Sequence, residues 1–144
     1  MENPNPYATP QANVERPEGF VADIENLPVS RKWKERFSVI HAAGGPRFPD
    51  YKKLPPRERH KVIRFNFLAF LLGPLYYIAK GMWRKALTLF LACLVAVVVV
   101  GMALEAMGYG AFVKYLGYGA AAVFAVRANI DYYKKMVLGD NGWW

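Results

Sequence analysis

The sequence predicts an all-α membrane protein, and three observations carry that expectation. Residues 86–104 run for nineteen positions without a charged side chain. Two further apolar stretches, 65–79 and 109–126, flank them. The basic residues crowd at the ends of these stretches rather than within them. The expected architecture is two transmembrane helices, 86–104 and 109–126, plus a short re-entrant or interfacial segment, 65–79, broken at Gly73-Pro74. A basic amphipathic helix and a disordered N-terminal tail precede them. In chain order the units are a tail (1–26), a basic region (27–64), a membrane domain (65–138) and an aromatic C-terminal tail (139–144).

The net charge of +8 is unevenly spread. Residues 1–26 hold five acidic side chains against one basic, residues 27–64 eleven basic against three acidic, and residues 65–144 seven basic against three. The first segment carries Pro4, Pro6, Pro10 and Pro17 and few large apolar groups. Such a segment cannot bury enough surface to offset its chain entropy, so a disordered tail is expected. Asn5-Pro6-Tyr7 in such a tail is more often a turn than a recognition motif. The start, MENPNPYATP, has neither the basic nor the apolar region of a cleavable signal, so insertion is assigned to the internal segments.

Ser30 suits an N-cap, and Trp33, Phe37 and Ile40 recur at helical spacing between Arg31, Lys32, Lys34 and Arg36. Gly44, Gly45 and Pro46 are a stop signal. A helix over about 30–43 follows, lying in the headgroup region or packed on its neighbours. Residues 46–56 read as an extended linker. Pro55 or Pro56 then opens a helix that begins polar (Arg57, Arg59, His60, Lys61, Arg64) and turns apolar at Phe65, as a helix entering a bilayer does.

Length sorts the apolar stretches. Fifteen residues at 65–79 reach about 22 Å as a helix, short of a hydrocarbon core of about 30 Å. Gly73-Pro74 also breaks them in the middle. Nineteen residues at 86–104 reach about 28 Å and span. Residues 109–126 contain one charge, Lys114, close enough to the start of the stretch for its amine to reach the interface. Cations at Arg57–Arg64 and at Lys80, Arg84 and Lys85 bracket the first stretch, and one cluster would face outward if that stretch crossed. A re-entrant turn keeps both inside, with residues 105–108 outside and both termini cytoplasmic. Three full spans with an external C-terminus are the competing arrangement.

The sequence offers no catalytic, cofactor-binding or metal site. His41 and His60 lack partners at ligand spacing, Cys93 reads as an inert thiol in an apolar run, and no phosphate loop is present. A lipid-acting enzyme would have to use His60 or Asp50. Nucleic acid is not an expected partner, because no recognition module accompanies the basic block. The expected partners are the bilayer, anionic headgroups, another membrane protein or a second copy. Trp33, Phe37, Ile40, Arg57, Arg59, Lys61 and Arg64 are the candidate contacts to a membrane surface or partner.

Gly110, Gly117, Ala121 and Ala125 form a candidate helix-packing stripe, with Ala92, Ala96 and Ala103 as its counterpart. Tyr76, Tyr77, Trp83, Tyr132, Tyr133, Trp143 and Trp144 suit an aromatic belt at headgroup depth. Asp131 with Lys134 and Lys135 reads as a solvated face, and Glu105 and Lys114 as interfacial anchors. The function expected is that of an accessory or regulatory membrane protein presenting a basic cytoplasmic surface. The alternative is a subunit of an oligomeric channel or transporter.

The block NFLAFLLGPLYYIAKGMWRK (66–85), with WKERFSVIHAAGG (33–45) and RANIDYYKK (127–135), resembles a family of bacterial inner-membrane proteins of unknown function typified by enterobacterial YigF and YigG. The resemblance implies a bacterial plasma-membrane location and carries over no catalytic or binding residue.

Overall fold

The computed structural model describes residues 23–144. All regular structure among them is helical. The expected disorder of residues 1–22 lies outside this range, but residues 23–26 are ordered, contrary to expectation. Ile24–Asn26 form a 3-10 turn capped by Asp23, whose carboxylate accepts from the Glu25 amide at 3.0 Å.

Helix α1 (Arg31–Ala42) follows, with Ser30 in extended backbone at its N-cap and no side-chain capping bond. It ends where the glycines say it should. Gly44 has φ +89, and a Cβ there would stand 2.5 Å from the Pro49 ring, so both conformation and close approach require glycine.

Residues 46–56 are not an extended linker. They turn tightly, pass through a 3-10 helix at Tyr51–Lys53, and place Leu54 in a small core with Ala43 and Val62. Helix α2 (Pro56–Val62) then stops short of the apolar stretch instead of running into it. Arg59 reaches back to the Leu54 and Lys52 carbonyls at 2.9 and 2.6 Å, which ties α2 to the preceding turn.

Residues 65–79 break at Gly73 as expected, giving α3 (Phe67–Leu72) and α4 (Pro74–Ala79). Gly73 holds φ 51 and ψ −122, a conformation side-chain-bearing residues avoid, and Pro74 supplies the first turn of α4. The two ends of this segment attach to the same part of one later helix, α6 (Leu116–Val137). At the entrance, Asn129 donates to the Arg64 carbonyl at 2.5 Å, and the Asn66 amide donates to the Ala125 carbonyl at 3.2 Å. At the exit, Lys135 donates to the Lys80 carbonyl at 2.5 Å. The Gly73-Pro74 tip shares the lining of a cavity of about 340 Å³ with Phe90, Cys93, Val97, Ala120, Ala121 and Phe124. From Asn129 to Ala121 is about 12 Å along a helix, so the segment goes out by about that distance and returns.

Helix α5 (Trp83–Ala106) is long and apolar enough to cross a bilayer, the only such helix among the described residues. Its inward edge is Ala86, Leu89, Cys93, Val97, Gly101 and Leu104, at steps of three and four. The expected stripe of Ala92, Ala96 and Ala103 is exposed instead. Of its most apolar eighteen residues only 11% are buried.

Residues 109–126 do not form one continuous helix. Gly110–Tyr115 are 3-10 and α6 begins at Leu116. Gly108, at φ +82, and Gly110 precede or open the 3-10 segment and each disfavours α-helix by about 1 kcal/mol against alanine, whereas Gly117 and Gly119 are accommodated within α6. The Gly110, Gly117, Ala121, Ala125 stripe is therefore not a single packed face. Gly117 faces open space, while Ala125 is fully buried under the α3 entrance.

The core sits at the far end of α6 from this loop. Phe37 and Ile40 of α1 meet Tyr77, Met82, Tyr132, Tyr133 and Val137 there. Trp33 packs edge-on to Tyr132 with ring centroids 4.7 Å apart, and Phe37 to Tyr133 at 5.8 Å. The four tyrosines assigned to an aromatic belt are thus core residues; only Trp83, Trp143 and Trp144 stay exposed.

Candidate functional site

Two polar constellations stand out, one buried and one open. The buried one joins α3, α4 and α6. Asn66 caps α3 by accepting from the Ala69 amide at 3.1 Å, and its side-chain amide donates to Tyr76 Oη and Asn129 Oδ1, each at 3.0 Å. Tyr77 donates to Asp131 at 3.0 Å, and Arg127 Nε lies 3.4 Å from the same carboxylate oxygen. Asp131 is 1% exposed, so the reading of Asp131 as part of a solvated face is corrected. A carboxylate this deep needs the hydroxyl and the guanidinium, and its helix is fixed by them. Lys85, counted from the sequence as a surface cation, is likewise buried and lies 3.8 Å from Asp140. Every side chain in this constellation is engaged with another, which makes it a structural tie between elements.

The open constellation is a groove of about 1000 Å³ between α1 and the α2–α3 junction. Lys32, Lys34, Arg36, Lys61 and Arg64 line it, with Glu25 and Glu35 among its acidic residues. Glu35 is engaged with Arg31 at 3.6 Å. The ion pairs among the described residues are Arg31–Glu35, Lys53–Asp50, Lys85–Asp140 and Arg127–Asp131. None of them engages Lys32, Arg36, Lys61, Arg64 or Lys80.

Trp33, beside the groove, gathers two cations. The Arg36 guanidinium lies 4.8 Å from its ring centre and the Lys80 ammonium 5.2 Å, with Lys80 also 4.7 Å from the Tyr132 ring. Partial burial, and then the neighbouring Arg64 charge, hold Arg36 below the ordinary arginine value. Lys80 is pushed down by burial and by Arg36 and Lys135. Cations gathered in excess of the two nearby carboxylates make an electropositive region suited to an anion.

The residues expected from the sequence to form the contact surface divide. Phe37 and Ile40 are buried in the core and are not available to lipid or a partner, because the basic helix packs on α6 rather than on a surface. Trp33 is half-buried against Tyr132 and outside the groove lining, Arg57 is exposed outside the groove, and Arg59 is turned inward to backbone carbonyls. Lys61 and Arg64 do line the groove. Arg36, which lines the groove, and Lys80, which lies beside it on Trp33 and Tyr132, were missed. Helical spacing places Arg36 beside Trp33, which was a usable signal; nothing local connects Lys80 to α1.

Among the described residues no group of three or more His, Cys, Asp or Glu comes together to hold a metal. The three sequence blocks noted above, 33–45, 66–85 and 127–135, are the ones that meet at this end of the molecule, through Trp33 with Tyr132, Tyr77 with Asp131 and Asn66 with Asn129.

No solved structure matches the chain. The uncharacterized protein YigF of Salmonella typhimurium is 36% identical over 128 residues, covering 83% of this chain and 94% of the relative. The uncharacterized protein YigF of Escherichia coli K12 is 34% identical over 123 residues, covering 80% and 90%. The model of a family described as a protein of unknown function, DUF2628, matches residues 24–137. With that match over most of its length, the chain belongs to the DUF2628 family.

Proposed function

We propose that this chain is an integral protein of the bacterial inner membrane with an accessory or regulatory role. In this reading residues 86–104 and 109–126 form a spanning hairpin, residues 65–79 dip in and return, and both termini are cytoplasmic. The basic end of the molecule is then presented to a partner or to anionic lipid. One observation carries it. Among the described residues, every exposed large apolar side chain lies between Ile63 and Val126 or at Trp143 and Trp144; residues 23–62 expose none. A solvent boundary drawn at Ile63 would account for that division.

Dimensions support the hairpin. Six 3-10 residues at about 2.0 Å each and the eleven residues from Leu116 to Val126 at about 1.5 Å come to about 28 Å end to end, matching residues 86–104. The shared attachment of Arg64 and Lys80 to one end of α6 favours a re-entrant segment over a third span, and it keeps the flanking cations on one side. An oligomeric channel draws no support from α5, whose residues 90–100 carry no hydroxyl, amide or charged side chain to line a pathway.

Cysteine labelling tests the arrangement. In a Cys93→Ala background, Lys52→Cys, Ala79→Cys, Met107→Cys and Trp144→Cys are treated in spheroplasts with a membrane-impermeant maleimide. Only position 107 is expected to react. Labelling at 79 and 144 but not at 107 would establish three spans and overturn the reading.

A further inference from the structure

We propose that the groove between α1 and the α2–α3 junction binds the phosphate of an anionic glycerophospholipid, with Arg36 and Arg64 as its principal contacts and Lys61 beside them. This deepens the membrane reading above and rests on it. The first argument is charge. Arg31, Lys32, Lys34, Arg36, Lys61 and Arg64 line the groove against two carboxylates, Glu25 and Glu35. Glu35 is paired with Arg31, and Arg36, Lys61, Arg64 and Lys32 have no carboxylate within ion-pair distance among the described residues. Arg36, which lies over the Trp33 ring, and Arg64 line the same groove, and guanidiniums are the side chains that hold a phosphate with paired hydrogen bonds.

The second argument is position, and it selects lipid over a free anion. Arg64 lies between Ile63 and Phe65 in the chain, which are 53% and 48% exposed and open the apolar belt. Phe67 and Leu68, at 68% and 58%, continue it. A molecule with a phosphate in the groove and acyl chains along these side chains uses both surfaces; inorganic phosphate or a soluble anion would leave the apolar one bare. Basic pockets on the cytoplasmic side of membrane helices hold anionic headgroups by this combination.

The test is lipid binding to the detergent-purified full chain, read by native mass spectrometry with dioleoylphosphatidylglycerol and dioleoylphosphatidylcholine as probes. Phosphatidylglycerol is expected to bind about ten-fold or more tightly than phosphatidylcholine. Lys61→Gln, at an exposed position that leaves the core untouched, should lower that binding about five-fold, and the Arg36→Gln/Arg64→Gln variant about twenty-fold. Arg57→Gln, outside the groove, should leave it unchanged. Equal binding of the two lipids, or equal loss with Arg57→Gln and Lys61→Gln, would overturn the site. Displacement of the lipid by millimolar inorganic phosphate would overturn the assignment to lipid. A chain that inserts with the expected labelling pattern yet shows no lipid preference removes this inference alone. A chain monomeric in buffer without detergent removes the membrane reading as well.

Discussion

Phe37 and Phe67 are the same residue on two helices of one chain, yet the first is completely buried and the second is 68% exposed. The contrast holds for the regions around them. At the basic end, α1, α2 and the last turns of α6 pack aromatic rings and aliphatic groups into a closed core, with the buried polar groups tied to one another. At the apolar end, α5 and the first half of α6 touch along one edge and turn the rest of their apolar surface outward. Between Leu87 and Met102, α5 exposes nine large apolar side chains. At about half exposure each represents roughly 1 kcal/mol of unrealised burial in water, so the row comes to about the whole stability of an ordinary domain. Hydrocarbon would remove that cost, and under the membrane reading proposed above the two ends of the chain face different solvents.

The largest effect that would sharpen this comparison comes from truncating the two phenylalanines. Phe37→Ala should destabilise the folded unit by about 3–5 kcal/mol, because it empties the contact between α1 and α6. Phe67→Ala, at a ring facing outward, should leave detergent-solubilised unfolding nearly unchanged. Equal losses in the denaturation midpoints of the two variants would break the distinction.

A charge placed at the middle of α5 is the next probe. Val98→Arg meets no neighbour that it must displace, since Val98 is exposed, and a helix in water would accept it. In a bilayer it should oppose insertion by about 2.5–3.5 kcal/mol, measurable as a fall in the membrane-integrated fraction during synthesis. Unimpaired insertion would place α5 outside hydrocarbon. The smallest effect is expected at the opposite end. Arg31→Gln removes the exposed pair with Glu35 and should alter stability by less than about 1 kcal/mol in thermal unfolding.

Much of the fold was legible locally. The stop at Gly44, the break at Gly73-Pro74 and the long apolar helix each follow from a few adjacent residues, because backbone freedom, a missing donor and side-chain hydrophobicity are properties a short segment carries by itself. The candidate groove was legible by half. Lys61 and Arg64 were visible as cations near an apolar boundary, and helical spacing set Arg36 beside Trp33, whereas Lys80 joined Trp33 and Tyr132 beside the groove only through the tertiary fold. Tyr77, Tyr132 and Tyr133 show the reverse error. A tyrosine near a membrane boundary suits an interface, and only its neighbours decide whether it is enclosed.

By itself, then, the sequence determined the all-helical class, the stop at Gly44, the break at Gly73-Pro74, the long apolar helix, and that charge and apolar surface are segregated along the chain. The tertiary structure alone decided which side of each helix is covered, and so turned Asp131 and Lys85 from surface charges into buried ones. It also brought Arg64 and Lys80, sixteen positions apart, to one end of α6. The physical reason is range. Helix starts and stops are set within a turn or two, but the environment of a charge depends on groups that only folding brings within a few ångströms of it.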